Sequence, residues 1–558
     1  MDGRCLPALL MASLLVFSSG LGLSLSSRTA AGDPVDITSE ILESWDGQNV
    51  IDQTERLCTI SSSHNAYRVS GSEGANEAAD LIRDQFQDYG LQVHEESFDL
   101  PIWNLLSSPT MFYDIDGNIS TTEDALELES FNADGYSMPT PVDGALYELV
   151  TLPLPHISYS SEVGGMPIDR DTWNSINTTG KVLMMGREVR WSPNWEQVFK
   201  EKLESEPPVA IIFFYWYSWM SYAEEYSQSS TGGRPLGIVG PVFWDLNIAV
   251  GSLNYTQGHM LKELAHNNSE LRVSIEIRSR ITEGQHRNII ADIPSSSGSS
   301  QYVILGAHYD TVMCEGYIDN SASVATLLEI GRMVQQAMDS GKFEMQHGLR
   351  IIAFAGEELG LAGSINYVNA HRDEMADIVS ALIVDCIGSQ TLQVTDPGPS
   401  GDFDLSSLAD IAAQQLNSSY VVEDITGSDH SSFLNPAGVA ETYNWYWQED
   451  LDLHGVQGVV SSMLFCSYPI TIYESSTGSI RGHIHTPSDS ISGVQDTDWI
   501  NKDQLQDQAE LVALTTLYAI DIRSLDQGWD WIYLMPIMMV AIIVCGYIIF
   551  RQVQRHRP

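Results

Sequence analysis

The chain has 558 residues, which is too long for one compact core and implies two or three domains. It carries 27 Lys+Arg against 74 Asp+Glu, a formal net charge of −47. A field of that sign repels nucleic acid and anionic lipid, so nucleic-acid binding is excluded and most of the charge is interpreted as a solvated acidic surface, with a dedicated cationic partner as the less favoured alternative.

The amino-terminal segment predicts a secretory signal peptide over residues 1–31. An apolar stretch at 6–23 follows Arg4 and runs into small residues that end at Ala31. Because Asp2 offsets the charge of Arg4, an uncleaved anchor is the alternative interpretation.

Residues 32–105 are predicted to form the first part of a catalytic domain. Ala78, Ile82 and Phe86 recur at helical spacing, and Gly90 ends that helix. The alternation over 91–98 then predicts a strand.

Residues 106–285 differ in composition, being rich in Pro, Gly, Ser and aromatic residues. We predict here a smaller, β-rich insert domain. Its expected strands lie at 180–185, 207–216 and 271–277, and its expected helices at 194–203 and 256–265; a further apolar run covers 238–243.

Residues 286–525 alternate between strand and helix patterns. Apolar strands are predicted at 302–305, 349–355 and 380–384, with a helix at 323–336. This alternation predicts an α/β fold with a mostly parallel mixed sheet flanked by helices. In such sheets, ligands bind beyond the carboxyl ends of the strands.

Residues 531–550 are almost wholly apolar and long enough to cross a bilayer as one helix. Trp529, Trp531 and Tyr533 lie at one boundary, and arginines follow at the other, in the tail 551–558. Since short cytoplasmic tails are enriched in arginine, we predict a single-pass protein of the cell membrane, with a cytoplasmic carboxyl terminus and an extracellular or lumenal catalytic domain.

Six cysteines are present, of which Cys5 and Cys545 lie in the two apolar end segments. The remaining four permit three pairings and show no spacing typical of structural zinc: Cys58, Cys314, Cys386 and Cys466. Five N-glycosylation sequons fit an exported glycoprotein: Asn118, Asn177, Asn254, Asn267 and Asn417.

Side chains of metal-binding type follow the predicted strands of 286–525 in order. They are His308 and Asp310, then Asp319, then Glu357 and Glu358, then Asp385, and later His485. Imidazole and carboxylate ligands suit zinc, and a shared carboxylate can hold two ions roughly 3.5 Å apart. Of two adjacent glutamates, one can bind metal while the other moves a proton. Each residue alone is weak evidence, so the prediction depends on their joint order.

These motifs resemble a known family. The segments HYDT and DN, the GEE pair after an apolar strand, an Asp after the next strand and a late HTPSD are similar to the two-zinc aminopeptidase family, of which glutamate carboxypeptidase and the transferrin receptor are relatives. The resemblance covers about 40–105 and 286–520. The insert at 106–285 is similar to a protease-associated domain.

The resemblance implies a metallo-exopeptidase with two zinc ions, replaceable by cobalt or manganese, that hydrolyses peptides by activating a water. It implies His308 and Asp385 as ligands of one zinc and Glu358 and His485 as ligands of the other, with Asp319 bridging, Glu357 as general base and then general acid, and Asp310 orienting His308. His483 is the alternative to His485.

The resemblance also places Ser428, Asp429 and His430 near the substrate pocket, although a turn with a capping aspartate explains the segment equally well. Family members often carry a tyrosine where this chain has Ile484 or Gly427. The oxyanion partner therefore stays open, with Tyr443 and Tyr446 as candidates.

Three alternatives to an aminopeptidase stay open at this point. A carboxypeptidase of the same family would need a basic clamp, for which Arg481 is the suggestively placed residue. A glutaminyl-cyclase-like transferase would use one zinc, and a non-catalytic receptor on the same fold would use none. The acidic balance of the chain favours binding of a free amino terminus.

Overall fold

A computed structural model describes residues 34–115, 125–141, 145–152, 170–186, 195–214, 246–389, 391–398, 404–425, 427–447, 453, 460–467, 484–485, 488–496 and 500–524. The predicted signal peptide, the predicted membrane helix at 531–550 and the tail 551–558 lie outside these residues. Across the described ranges, no helix combines the length and the apolar character that spanning a bilayer requires.

The strands of these ranges are β1 (Gln92–Leu105), β2 (Thr110–Asp114), β3 (Leu126–Glu127), β4 (Asn132–Ala133), β5 (Leu146–Thr151), β6 (Val182–Gly186), β7 (Ala210–Phe214), β8 (Ala249–Ser252), β9 (Arg272–Glu276), β10 (Ser279–Ile293), β11 (Tyr302–His308), β12 (Phe343–Met345), β13 (Gly348–Phe354), β14 (Ile378–Val384), β15 (Gln393–Val394), β16 (Val421–Val422), β17 (Ser462–Cys466) and β18 (Ile522–Ser524).

The helices are α1 (Pro34–Leu42), α2 (Gly47–Ser62), α3 (Glu73–Asp88), α4 (Arg170–Ser175), α5 (Trp195–Ser205), α6 (Tyr255–Asn267), α7 (Ala322–Asp339), α8 (Ala362–Ala370), α9 (Leu405–Leu416), α10 (His430–Leu434), α11 (Pro436–Trp447), α12 (Gly493–Asp496) and α13 (Lys502–Ala519). A π-helical turn (Tyr317–Ser321) precedes α7, and a 3₁₀ turn (Met375–Asp377) precedes β14.

The first sheet has the strand order β1-β10-β13-β11-β14-β17-β15-β16. Its central strands β13, β11, β14 and β17 run parallel, whereas the pairs β1/β10, β10/β13 and β15/β17 are antiparallel. The predicted α/β mixed sheet is confirmed. The predicted predominance of parallel strands is not confirmed, because only the central strands and the edge pair β15/β16 are parallel.

The centre is parallel because its strands are continuous apolar runs that helices cover. Val303, Ile304 and Leu305 are all fully buried, as expected for strands with packed layers on both faces. The helix α3 is capped by Ser72, whose hydroxyl accepts a hydrogen bond from the Ala75 amide. Both elements follow the apolar periodicity that predicted them.

A second sheet, with the order β3-β2-β9-β5-β6-β7-β8-β4, is built from the predicted insert. It is not purely β, because β5 to β8 run parallel, with α5 between β6 and β7 and α6 after β8. The predicted strand at 207–216 begins only at Ala210, since two prolines at its predicted start cannot donate to the ladder. The apolar run at 238–243 lies outside the described residues.

The strands β1 and β10 connect the two sheets. They pair antiparallel from Gln92↔Asp292 to Leu105↔Ser279, along almost their whole length. The predicted end of the insert, at 285, therefore lies inside β10 rather than in a loop. The domain boundaries themselves stay a prediction.

The four described cysteines are buried and none is in a disulfide: Cys58, Cys314, Cys386 and Cys466. Among the sequons, Asn254 is 1% exposed and its side chain caps α6 through the Gln257 amide, so it does not offer an accessible glycosylation site. Asn177, Asn267 and Asn417 are exposed, and Asn118 lies outside the described residues.

Candidate metal centre

The carboxyl ends of the parallel strands bring four of the predicted site residues to one edge of the first sheet. His308 is the last residue of β11, and Asp385 directly follows β14. Glu357 and Glu358 follow β13 through a turn at Gly356, whose φ of +71° favours glycine. Asp319 is contributed by the π-helical turn before α7.

The first group of potential metal ligands comprises His308, Asp319 and Asp385. The Nε2 atom of His308 lies 3.3 Å from Oδ1 of Asp319 and 3.4 Å from Oδ1 of Asp385. All three residues are buried, and their ligand atoms lie within 4.8 Å of one another. This spacing allows one ion to contact all three.

The second group comprises Asp319, Glu358 and His485. The Nε2 atom of His485 lies 3.1 Å from Oδ2 of Asp319 and 3.1 Å from Oε1 of Glu358. The two oxygens of Asp319 thus face different histidines. One carboxylate is therefore shared by two adjacent groups, as a bridging ligand requires.

The residues of these groups fit zinc by their chemistry and by their unmet bonding capacity. His308 Nε2 and Asp385 Oδ1 are buried and have no hydrogen-bond partner in the described part of the chain. Ser428 donates to the other oxygen, Oδ2, of Asp385 at 2.7 Å, which leaves Oδ1 free to bind an ion. Imidazole and carboxylate ligands in sets of three match zinc sites that keep an open position.

The pKa values of both histidines are raised by the neighbouring carboxylates. Burial works against the charged imidazole, yet the carboxylates of Asp385 and Glu357 raise the pKa of His308 well above its usual value. Likewise Glu358 and Asp319 raise the pKa of His485 against the effect of burial. A bound cation must displace these protons, so metal affinity is expected to rise with pH.

Glu357 belongs to neither group. Its Oε2 lies 4.0 Å from His308 Nε2, and its side chain is 13% exposed. Burial raises the pKa of Glu357 well above its usual value, and the neighbouring Glu358 and Asp385 add to this effect. A carboxyl group that holds a proton strongly thus lies beside the ligand groups without joining them.

Asp310 is buried behind the site. Its carboxylate accepts hydrogen bonds from the amides of Glu357, at 3.1 Å, and Glu358, at 3.3 Å. Its Oδ1 lies 3.6 Å from His308 Nδ1, while the backbone carbonyl of Asp310 lies 3.1 Å from that nitrogen. The Asp310 carboxylate therefore fixes the turn that carries both glutamates. The sequence did not predict this role of Asp310.

Asp319 is held from both sides by residues to which the sequence assigned no role. The carboxylate of Asp489 accepts hydrogen bonds from the amides of Ile318, at 2.7 Å, and Asp319, at 3.2 Å. Asn320 donates to the carbonyl of Val384 at 3.2 Å, and its Oδ1 accepts from the Cys386 amide at 3.1 Å. Asp489 and Asn320 belong to the HTPSD and DN motifs, which was the available clue.

The segment Ser428–His430 lies next to Asp385, to which Ser428 donates the hydrogen bond described above. Asp429 is fully buried, and burial together with the Asp385 and Asp310 carboxylates raises its pKa to about 7. His430 Nε2 lies 3.0 Å from the carbonyl of Ile425, and burial lowers the pKa of His430 to about 4. The structure thus brings this segment to the ligands; its predicted contact with substrate stays a prediction.

Other candidates lie outside the described residues: Arg481, His483 and the side chains of Tyr443 and Tyr446. Cys314, in the loop between His308 and Asp319, is 2% exposed, and burial raises the pKa of its thiol well above the usual value.

Two adjacent imidazole–carboxylate groups share one aspartate at the carboxyl edge of an α/β sheet, an arrangement that suits a metal-dependent hydrolase. Residues 288–513 match the family model described as Peptidase family M28. That part of the chain contains every residue of both groups, and the match supports a zinc-dependent metallopeptidase. The resemblance to the two-zinc aminopeptidase family is confirmed; a protease-associated insert is not shown.

Individual relatives match shorter segments. The glutamate carboxypeptidase 2 homolog of Caenorhabditis briggsae is 28% identical over 125 residues, which is 22% of this chain and 16% of that protein. Aminopeptidase NAALADL1 of Rattus norvegicus is 25% identical over 199 residues, 31% of this chain and 26% of that protein. The matched segments thus span about a quarter or less of these relatives.

The structure of a zinc aminopeptidase from Bacillus subtilis shares the fold. Its TM-score is 0.56 at 19% identity, and the superposition covers 85% of this chain and 95% of that chain.

Proposed function

We propose that this chain is a membrane-anchored metallo-exopeptidase that uses two zinc ions to remove residues from the amino terminus of peptides. The observation that carries the proposal is the sharing of Asp319 between the two ligand groups, while Glu357 belongs to neither. This division supplies both a pair of metal sites and a free carboxyl group, which hydrolysis of a peptide bond needs.

In this proposal, His308 and Asp385 would hold one ion, Glu358 and His485 would hold the other, and Asp319 would be shared between them. Zinc bound there would lower the pKa of a water and polarise the scissile carbonyl. Asp310 and Asp489 fix the backbone that carries Glu358 and Asp319, through the amide contacts described above. Ser428 fixes the orientation of the Asp385 carboxylate.

Glu357 would move the proton. Its raised pKa suits a group that accepts a proton from the attacking water and passes it to the leaving amine. The position beside His308, outside both ligand groups, leaves both of its oxygens available for that transfer.

The charge around the site supports a free amino terminus as the group recognised. In the described ranges, no Lys or Arg forms an ion pair with Asp319, Glu357, Glu358 or Asp385. An ammonium group would therefore be attracted there, whereas a terminal carboxylate would lack a basic partner. The names of two similar proteins, an aminopeptidase of Rattus norvegicus and a zinc aminopeptidase of Bacillus subtilis, point the same way.

Chelation and blocked substrates test this activity together. The purified chain is expected to hydrolyse peptides with a free amino end and to leave amino-acetylated copies intact, because the acetyl group removes the charge that the acidic site attracts. A strong chelator is expected to abolish hydrolysis, and zinc or cobalt to restore it. Cleavage of the acetylated peptide from its carboxyl end would show a carboxypeptidase instead. Full activity after exhaustive metal removal would exclude a metallopeptidase.

The membrane anchor rests on residues 531–550 and on the arginines that follow them. Removing the residues after 525 is expected to convert a membrane-bound protein into a soluble one that keeps its activity, since the catalytic domain is expected outside the cell. Fractionation of cells that express the two forms measures this. If protease added to intact cells spares the main domain of the full chain, the proposed orientation is wrong.

A further inference from the structure

Arg68 is a buried cation without a carboxylate partner. It lies in the turn between α2 and α3, and its exposure is 0%. No Asp or Glu of the described ranges lies within ion-pair distance of its guanidinium. A buried charge in such surroundings is costly unless hydrogen bonds satisfy it fully, so its presence calls for a reason.

The guanidinium makes five hydrogen bonds, all to uncharged oxygens. Its Nε donates to the carbonyl of Tyr309 at 2.9 Å, and Nη1 donates to the carbonyls of Leu57 and Glu315, each at 3.0 Å. Nη1 also contacts the hydroxyl of Ser61, so its two hydrogens are shared among three acceptors, and Nη2 donates to the hydroxyl of Ser321 at 2.8 Å. Every nitrogen of the group therefore has a partner.

Three of these partners mark the start, the middle and the end of one loop, residues 309–321, which we call the ligand loop. Tyr309 directly follows His308, and Ser321 comes two residues after Asp319. Glu315 precedes Gly316, where φ is +64° and an added Cβ would lie 2.3 Å from the Asp319 carbonyl. The loop thus turns tightly upon itself, and one side chain bonds to it at three points.

The positive charge of Arg68 lies near several buried carboxylates. The ligand loop and its surroundings carry the carboxylates of Asp310, Asp319 and Asp489, all at most 5% exposed. A fixed cation behind them offsets part of their mutual repulsion, which zinc would otherwise have to overcome alone. Arg68 therefore stabilises both the shape and the charge of the loop.

We infer that Arg68 is a positioning residue that holds Asp319 in the geometry required to bridge two metal ions. This inference rests on the metal centre of the proposed function and adds to it a residue from outside the ligand motifs. Arg68 acts through the ligand loop and does not contact the ions. Lysine would keep the charge but offer three donors in place of five, so it cannot restore all of the contacts.

The test compares zinc affinity in Arg68→Met and Arg68→Lys with a matched control, Arg350→Met. Arg350 lies near the opposite end of β13, where its guanidinium bonds to Asp292, Tyr302 and Tyr367. Zinc dissociation constants are measured on the full chain in detergent by competition with a chromophoric chelator, at a temperature where circular dichroism shows each variant folded. The kcat and KM values are measured on the same samples.

For Arg68→Met we expect zinc affinity to fall 10- to 100-fold, as for other residues that support metal ligands from outside the coordination sphere. Arg68→Lys should fall in between, with a lower kcat and a nearly unchanged KM. Arg350→Met should lower the melting temperature and leave zinc affinity within twofold of wild type.

A folded Arg68→Met with wild-type zinc affinity would overturn the inference. If Arg68→Met does not fold, Arg68→Lys decides, and wild-type zinc affinity and kcat in that variant would overturn it equally. An equal loss of zinc affinity in Arg350→Met would reduce the role of Arg68 to general stability. A wild-type chain that binds no zinc would instead refute the proposed function, and the inference with it.

Discussion

Replacing Glu357 with glutamine is expected to lower kcat by roughly 10²- to 10⁴-fold while both zinc ions stay bound. The amide is nearly the same size as the carboxylate, so packing is preserved, but it cannot accept a proton from the attacking water. Since Glu357 belongs to neither ligand group, no metal contact is lost. The loss should therefore appear in kcat rather than in KM.

Glu358→Gln is the matched control, because it makes the same chemical change at the adjacent position. Glu358 contacts His485 and belongs to the second ligand group, so this variant should lose zinc as well as rate. Zinc per chain and steady-state kinetics on a peptide with a free amino end distinguish the two variants. Near-wild-type turnover in Glu357→Gln would remove Glu357 from the mechanism, and loss of zinc from it would mean that the two roles are reversed.

The second large effect is expected at Asp319. In Asp319→Asn the bridging carboxylate becomes an amide, whose nitrogen binds no cation, so the two ions lose their shared ligand. Zinc affinity should fall by more than the 10- to 100-fold typical of supporting residues, and hydrolysis should fall with it. Both properties are measured on the same preparation by chelator competition and by peptide cleavage.

Asp410→Asn is a suitable comparison for this variant. Asp410 is exposed and accepts a hydrogen bond from the Tyr420 hydroxyl at 2.7 Å. It belongs to neither ligand group. It should change neither zinc affinity nor rate. An Asp319→Asn chain that keeps two tightly bound ions would show that this aspartate does not bridge them.

The fold was predictable where local pattern determines structure. The predicted strand at 302–305 and helix at 323–336 are present in β11 and α7, because continuous apolar runs and helical spacing reflect burial directly. The antiparallel flanks were not predictable, since the pairing of β1 with β10 joins segments that are far apart in the sequence. Strand direction there depends on tertiary contacts that no short window contains.

The same distinction applies to the site. The ligand residues could be predicted because each follows a strand and their chemical types occur in order. The contacts of Arg68 and Asp489 could not, although Asp489 belongs to the HTPSD motif, because both residues bind mainly backbone groups. Arg68 contacts the Tyr309 carbonyl across 241 positions, and Asp489 contacts the Asp319 amide across 170. A side chain that binds a carbonyl or an amide places no constraint on the type of its partner residue, so the sequence carries no matching pattern.

The most direct test of the central claim is the amount of zinc bound per chain. The full chain is loaded with zinc, dialysed to remove weakly bound metal and analysed by elemental mass spectrometry against protein concentration from amino-acid analysis. Two ligand groups that share Asp319 predict close to two zinc ions per chain in the wild type and in Glu357→Gln. One zinc per chain would favour a single-metal transferase, and none would favour a non-catalytic receptor; either result would contradict the two-zinc peptidase proposed for this protein.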